Sequence, residues 1–437
     1  MQKILVLGAG KSSSILISHL AKQSGIELCV ADMSEDNLKL RTSSLSSVKT
    51  FWGDISDGQV LASLVQSYDI MVSLLPPHLH IVVAQLCLKF GKHFLTASYV
   101  NPEILSLDQE AQGKGLLFLM ECGLDPGIDH MSAMELLDRI KEQGGEVSSF
   151  RSYCGGLVAP ESDDNPWGYK ITWNPRNVVL AGQGTAKFAE GGKIKYLPYH
   201  QLFKRTVPLI FDQFGEYEAY ANRDSLTYIP QYGLEGISTF IRGTIRKKGY
   251  CEAWDHLVQL GLTDNSVKIN GAMNVSMNQL LKSFLPEDVS LASYLNVSEQ
   301  SESFQKLIWL GINDSTKPVE VQNPEPTPAD FLQTLIERKW KLNEGDKDLV
   351  LMQHLIEYEV QQKKYTQVST LAVLGEDLVT TAMAKTVGLP LAICVMLLVE
   401  GKIKSKGVQT PIKREFYVPV LESLHKLGIV FKEKSYS

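Results

Sequence analysis

The 437-residue chain has no excess of positive charge. Its 43 Lys and Arg face 49 Asp and Glu, a net charge of −6, so there is no electrostatic case for nucleic acid as a partner. It has no C-x-x-C pair; Cys29, Cys87, Cys122, Cys154, Cys251 and Cys394 lie far apart. That argues against a disulfide framework or a zinc site and fits a reducing cytoplasm, the expected location. No basic region precedes the first apolar stretch, so no signal peptide is expected. The most apolar late run, Leu389–Val399, contains Pro390 and is too short to cross a bilayer, so no membrane is expected as a partner. No two histidines have the i,i+4 spacing of a metal-ligand pair, and no metal is expected. Internal repeats and low-complexity tracts are absent. What remains is 44% hydrophobic and 21% charged, an ordinary globular composition with length for two or three domains.

The chain opens on a continuously apolar run, Ile4 to Leu7, followed by Gly8-Ala9-Gly10-Lys11-Ser12-Ser13 and an apolar helical pattern. This reads as a buried parallel strand, a glycine turn and a helix whose N-terminus suits a pyrophosphate. The fingerprint is G-x-G-x-x-S rather than G-x-G-x-x-G. Ser13 stands where a third glycine usually permits close helix–strand packing. A P-loop is excluded, because Leu5 occupies the position of its first glycine.

A second strand, Glu27–Asp32, ends on an acid about 20 residues past the glycines, where a carboxylate accepts both ribose hydroxyls of an adenosine. A 2′-phosphate would be repelled there, so Asp32 favours NAD over NADP; the bland alternative is a helix cap. Strands are expected at Val48–Trp52, Asp69–Pro76, His93–Thr96 and Gly115–Met120, with helices over 79–90 and 102–113. Asp54 and Ile55 fall where the adenine would lie, although Asp54 also suits a turn. Leu74 and Leu75, Ser98 and Tyr99, and Asp125 leave successive strands at the carboxyl edge of the sheet, where ligands bind in open α/β folds. Asp125-Pro126-Gly127 also has the form of a helix start. The expected fold class is α/β, a Rossmann-type doubly wound parallel sheet joined to a second α/β substrate domain with a helical insertion.

After about residue 145 the pattern becomes irregular. Short strands are expected at Val147–Tyr153, Val178–Leu180, Lys193–Leu197 and Leu226–Tyr228. From about 252 to 384 helical periodicity dominates, with helices again at Ala392–Glu400 and Tyr417–Lys426 and a closing strand at Gly428–Phe431. The domains are placed at 1–124, to which about 395–437 returns, and 125–394, with its helical insertion at about 255–370. Among six arginines in the middle region, Arg223 (in Asn222-Arg-Asp224) and Arg242 (on the apolar run Ile237–Ile241) stand out as carboxylate clamps; most single arginines are solvated surface. Tyr99, Asp125 and Cys154 are candidate proton carriers. Gly155-Gly156 opens backbone room beside the Cys154 thiol. Their bland alternatives are an aromatic lid, a helix cap and a small core residue, and spacing alone does not choose.

Six segments in order carry a resemblance: Thr96-Ala-Ser-Tyr-Val, Gly123-Leu-Asp-Pro-Gly-Ile-Asp-His, Ser152-Tyr-Cys-Gly-Gly-Leu-Val-Ala-Pro-Glu, Asn165-Pro-Trp-Gly-Tyr-Lys, Asn222-Arg-Asp-Ser and Ile241-Arg-Gly-Thr. With these the chain resembles, essentially end to end, the L-glutamate-forming saccharopine dehydrogenases. The resemblance implies cofactor contacts at Gly8, Ala9, Gly10, Lys11, Ser12, Ser13, Asp32, Leu74, Leu75, Leu124, Asp125 and Pro126. It implies saccharopine contacts at Ser98, Tyr99, Arg223 and the neighbourhood of Thr244. It places Tyr99, Asp125 and Cys154 among the ionisable side chains lining the active site. NADP-using members lack an acid at the place of Asp32, so the chain is similar to the NAD branch. A homodimer is expected. The alternatives are an NADP-dependent saccharopine reductase, a carboxynorspermidine- or opine-type dehydrogenase, and a non-enzymatic NAD-binding protein.

Overall fold

The structure is a computed structural model and describes residues 1–270 and 275–437. The chain forms two compact units, residues 1–147 with 358–437, and residues 148–357. Unit 1 begins as strict alternation: β1 (Gln2–Leu7), α1 (Ser14–Ala21), β2 (Ile26–Asp32), α2 (Glu35–Thr42), β3 (Lys49–Trp52), α3 (Gly58–Ser67), β4 (Ile70–Ser73), α4 (Pro77–Phe90), β5 (His93–Thr96), α5 (Pro102–Leu105), α6 (Asp108–Gly113), β6 (Leu117–Leu119) and α7 (Ile128–Glu142). Ile4 to Leu7 of β1 and Ile70 to Val72 of β4 are buried, as strands covered on both faces must be.

Unit 2 contains β7 (Glu146–Val158), α8 (Pro175–Val179), β8 (Thr185–Glu190), β9 (Lys193–Pro198), α9 (Tyr199–Leu202), β10 (Thr206–Phe211), β11 (Gly215–Ala221), β12 (Thr239–Lys247), α10 (Tyr250–Gln259), α11 (Met277–Lys282), α12 (Leu291–Leu295), α13 (Glu302–Leu310), α14 (Pro328–Lys339) and β13 (Asp348–Val360). The chain then returns to unit 1 as β14 (Lys363–Leu374), α15 (Ala382–Val399), β15 (Gly407–Gln409), α16 (Arg414–Lys426) and β16 (Phe431–Tyr436).

The sheet of unit 1 runs β15-β6-β5-β4-β1-β2-β3, and its pairings are parallel. The order 3-2-1-4-5-6 within it is that of a doubly wound dinucleotide-binding fold, whose switch point lies between β1 and β4. β15 joins beside β6, with Gly407 opposite Leu117. In unit 2, β10, β11 and β12 are antiparallel neighbours, and β7 pairs with β12 in parallel. A core of Trp167, Trp254, Trp340, Tyr169 and Tyr250 with many leucines sits in the same unit.

Several expectations are corrected. Val178–Leu180 is not a strand: Val178 and Val179 close α8, which starts with an Asn174 cap on the Arg176 N–H and Pro175 in its first turn. Leu226–Tyr228 is a single 3-10 turn. The expected helix over 102–113 breaks into α5 and α6. The helical insertion does not reach 370, because β13 and β14 occupy much of 348–374; residues 271–274 of it lie outside those described. β13 is buried on both faces over its first half, so it lacks alternation. β14 alternates, but its buried set is Gln367, Ser369, Leu371 and Val373, half of it polar. Unit 1 also takes in α7, which packs on α16, and recovers the chain at 358 rather than 395.

The late apolar run belongs to α15, an 18-residue helix with mean hydropathy 2.1. By length and composition it is long enough to cross a membrane, yet 72% of it is buried within the protein, as in a core helix. It packs on α1. A Cβ on Gly388 would lie 2.8 Å from the Leu16 backbone nitrogen. Gly388→Ala is therefore expected to lose about 1–3 kcal/mol through overpacking, read as a lower urea midpoint with an unchanged slope.

Candidate active site

Gly8 sits where β1 and β4 part. Its φ is 104°, and an added Cβ would lie 3.1 Å from the Leu74 carbonyl oxygen, so glycine is required on both counts. Gly10 differs. Its φ is −70°, and a Cβ there would meet no protein atom within 4 Å. The protein's own packing does not demand this glycine, and the open space above it fits a ligand brought close to the backbone. Ser13 turns its hydroxyl back to the Gly10 carbonyl at 2.8 Å. A separate close approach to α1 is made by Gly388 on α15, where an added Cβ would meet Leu16.

Asp32 is buried at the end of β2. Its Oδ2 accepts the Ala9 N–H at 2.6 Å and its Oδ1 accepts the Ser34 N–H at 2.7 Å. One carboxylate thus ties the glycine turn to the start of α2, whose cap is the Ser34 hydroxyl on the Asn37 N–H. The helix-cap alternative is set aside. Arg41, from α2, is almost wholly buried and donates from Nε to the Gly10 carbonyl at 3.4 Å. Its Nη1 has no hydrogen-bond partner among the described residues. The sequence reading missed it, because an arginine late in a polar helix gives no signal. Asp54 is a turn residue: its Oδ1 accepts the Ser56 N–H and hydroxyl at 2.9 and 2.6 Å, which lowers its pKa. Ile55 is in the core of unit 1.

At the exits of β4, β5 and β6 the expected residues converge. The Tyr99 hydroxyl donates to Asp125 Oδ1 at 2.9 Å. Asp125 does not cap α7; that helix begins at Ile128 behind Gly127, and the Gly127 N–H is held by Asp129 Oδ1 at 2.6 Å. Gly127 has a φ of 149°, and a Cβ on it would fall 2.0 Å from the Gly123 carbonyl oxygen. The Gly123–Gly127 loop thus closes on itself and presents Leu124, Asp125 and Pro126. Leu74 donates its N–H to the Leu7 carbonyl at 2.8 Å, and Leu75 packs on the core.

Ser98 is held by a residue the sequence reading passed over. His80, buried at the start of α4, lies between the Ser73 hydroxyl at 2.9 Å from Nδ1 and the Ser98 hydroxyl at 2.7 Å from Nε2. Only the sheet order makes these three residues neighbours. Burial, and after it the nearby His78, push the His80 pKa down to about 4, so the ring is neutral near pH 7.

Unit 2 brings together a second group. Thr244 on β12 pairs with Cys154 on β7 and with Tyr220 on β11. The backbone room expected beside Cys154 is filled: a Cβ on Gly155 would lie 2.6 Å from the Ile245 carbonyl oxygen. Arg242 is buried, with its guanidinium 4.3 Å from the centre of the Tyr228 ring, a cation–π contact. Its N–H is received by the Ser225 hydroxyl at 3.0 Å, and its carbonyl accepts the Asn222 N–H at 2.8 Å. Arg223 is exposed and has a φ of 42°. Such strain at a non-glycine residue persists only where the surroundings impose it; here the Arg223 carbonyl accepts the Lys187 N–H at 2.8 Å.

A 3-2-1-4-5-6 parallel sheet, a glycine turn open above Gly10 and polar side chains gathered at the same sheet edge define a Rossmann-type oxidoreductase that uses a nicotinamide dinucleotide. The sequence relationships narrow this. Residues 4–119 match the family model for the saccharopine dehydrogenase NADP binding domain, and residues 123–429 match that for the saccharopine dehydrogenase C-terminal domain. The chain belongs to the saccharopine dehydrogenase family. It is 33% identical over 440 residues to an Arabidopsis thaliana alpha-aminoadipic semialdehyde synthase, covering 95% of this chain but 41% of that protein. It is 31% identical over 453 residues to the Schizosaccharomyces pombe saccharopine dehydrogenase [NADP(+), L-glutamate-forming], covering 99% of each. The apo saccharopine dehydrogenase (L-Glu forming) of Saccharomyces cerevisiae superposes over 100% of both chains with a TM-score of 0.88 at 29% identity.

A neutral buried His80 has a consequence for stability. Its folded pKa, about 4, lies below the unfolded value of about 6.5. The unfolded chain therefore binds the extra proton between these limits, and stability falls as pH drops from about 6.5 to 4, by on the order of 3 kcal/mol. Urea unfolding across that window should show the loss, and His80→Gln should flatten its slope.

Proposed function

We propose that the protein oxidises saccharopine, with a nicotinamide dinucleotide and water, to L-glutamate and 2-aminoadipate 6-semialdehyde. The observation that carries this is the hydrogen-bonded Tyr99–Asp125 pair at the sheet edge shared with the Gly8–Ser13 turn, in a chain related over its length to proteins named for that reaction. The dinucleotide supplies the hydride acceptor. Gly8–Ser13 and the α1 N-terminus would hold its pyrophosphate, Asp32 its adenosine ribose, and Leu74, Leu75 and Leu124–Pro126 would border the reacting end. Saccharopine has three carboxylates, which suit the guanidinium forks of Arg223 and Arg242, with Ser98 and Thr244 as further contacts.

The secondary amine first loses a proton, which Asp125 accepts directly or through Tyr99. Hydride leaves the lysine-derived ε-carbon, and the carbon–nitrogen bond becomes an imine. Water adds to the imine carbon and gives its proton to the same pair. The carbinolamine then collapses: the nitrogen takes up a proton and departs as the amine of glutamate as the carbon–nitrogen bond breaks, and the hydroxyl gives up its proton to become the aldehyde carbonyl. The protein's part is to orient the reacting atoms and to move protons. Tyr99→Phe and Asp125→Asn are each expected to lower kcat by about 10²-fold. Arg223→Met is expected to raise KM for saccharopine by about tenfold or more with a smaller change in kcat. Wild-type rates for all three variants would refute these roles.

Between the two dinucleotides, Asp32 supports NAD. The turn and first residues of α2 that follow read Met33-Ser34-Glu35-Asp36, so three acids fall within five residues where β2 meets α2, a sequence unfavourable to a 2′-phosphate. The family description and the fungal relatives' names favour NADP. Initial rates of NADH against NADPH formation from saccharopine decide the matter. An NAD preference is expected, and Asp32→Asn should move the ratio toward NADP by about tenfold; a strong NADP preference in the unaltered protein overturns the role given to Asp32.

A further inference from the structure

A buried network lies beneath the Tyr99–Asp125 pair. Glu121 follows β6 with a φ of 60°, a left-handed conformation that costs a side-chain-bearing residue of order 1–3 kcal/mol and is kept where its surroundings impose it. Its carboxylate points inward. Oε2 lies 2.7 Å from His130 Nε2, and Oε1 accepts the Val100 N–H at 3.0 Å. On the other side of the ring, His130 Nδ1 is 3.7 Å from Asp129 Oδ2, while Asp129 Oδ1 holds the Gly127 N–H. Glu121, Asp129 and His130 are each at most 2% exposed. The described residues contain no group of three His, Cys, Asp or Glu side chains suited to a metal ion.

Two carboxylates buried around one imidazole are a costly arrangement if stability is their only return. Where their second oxygens go gives the arrangement a purpose. One grips the N–H of the residue after Tyr99. The other grips the N–H of Gly127, which closes the loop carrying Asp125. The Glu121 N–H in addition donates to the Ser98 carbonyl at 3.1 Å.

We propose that Glu121, His130 and Asp129 are positioning residues, which hold the loops of Tyr99 and Asp125 at the separation that proton transfer requires. The roles of Tyr99 and Asp125 rest on the function proposed above; the placement of the pair does not. Glu121→Gln keeps an acceptor for the Val100 N–H and can still bond the imidazole. Glu121→Ala keeps neither. His130→Gln removes the link between the carboxylates with a smaller loss of volume and serves should Glu121→Ala fail to fold.

Crystal structures of Glu121→Ala and His130→Gln should show the Tyr99 to Asp125 separation opened beyond about 3.5 Å. A pair still at hydrogen-bond distance overturns the proposal whatever the enzyme's substrate. With saccharopine, Glu121→Ala should lower kcat by about 10²-fold while the dissociation constant for reduced dinucleotide, read by its fluorescence, stays within about twofold. Glu121→Gln should recover most of that rate. In a Tyr99→Phe background, Glu121→Ala should cost less than about threefold more, since the two changes act on one unit. Fully additive losses, or cofactor affinity falling in step with kcat, would assign the network to the stability of the unit alone. If Tyr99→Phe is itself as fast as the unaltered protein, the proton-transfer reading of the pair fails instead.

Discussion

β1 is hydrogen-bonded in parallel on both sides, to β2 from Gln2 to Leu7 and to β4 from Ile4 to Leu7. That double pairing is the constraint on which the rest of unit 1 depends. The chain progresses outward from β1 in both directions, so the connections leaving β1 and β4 must part to opposite faces. A crevice opens at their carboxyl ends. Gly8 lies at the point of parting, and its contact with Leu74 leaves no volume for a side chain. Each later strand on the β4 side adds its exit to the same edge: Ser73 from β4, Ser98 and Tyr99 from β5, Asp125 beyond β6.

Several acids in this unit are committed to backbone N–H groups. Asp32 takes two of them, Asp54 one with a hydroxyl, and Glu121 and Asp129 one each. Such bonds satisfy charges that burial would otherwise penalise, and they fix loops that carry few apolar contacts of their own. The Asp125 carboxylate accepts the hydroxyl of Tyr99. The neutral His80 has a comparable fixing role, orienting Ser98 without adding charge to the edge.

Local pattern carried the first part of the reading. Apolar runs of four to eight residues bounded by turn signals located the strands of the parallel sheet, because burial on both faces leaves a direct trace in composition. The glycine turn and the end of β2 at Asp32 were legible because they lie within one short stretch of strands, turn and helix. β13 and β14 were not legible. A strand buried on both faces resembles a buried helix, and a strand with Gln367 and Ser369 inside conceals its alternation. The room beside Gly155 was misjudged because position in the chain does not say what already fills the neighbouring space.

By itself, then, the sequence determined the identity of the fold, the glycine turn and the chemical kinds of side chain available at the sheet edge, since these follow from short-range periodicity and from matching segments. Only the tertiary structure decided which of those side chains meet. Tyr99 and Asp125 are 26 residues apart and touch because β5 and β6 are neighbours. His80 reaches Ser98, and Glu121 reaches Val100, through the same strand order. Hydrogen bonds of this kind depend on distances set by packing rather than on residue preference, and no local pattern in the chain encodes them.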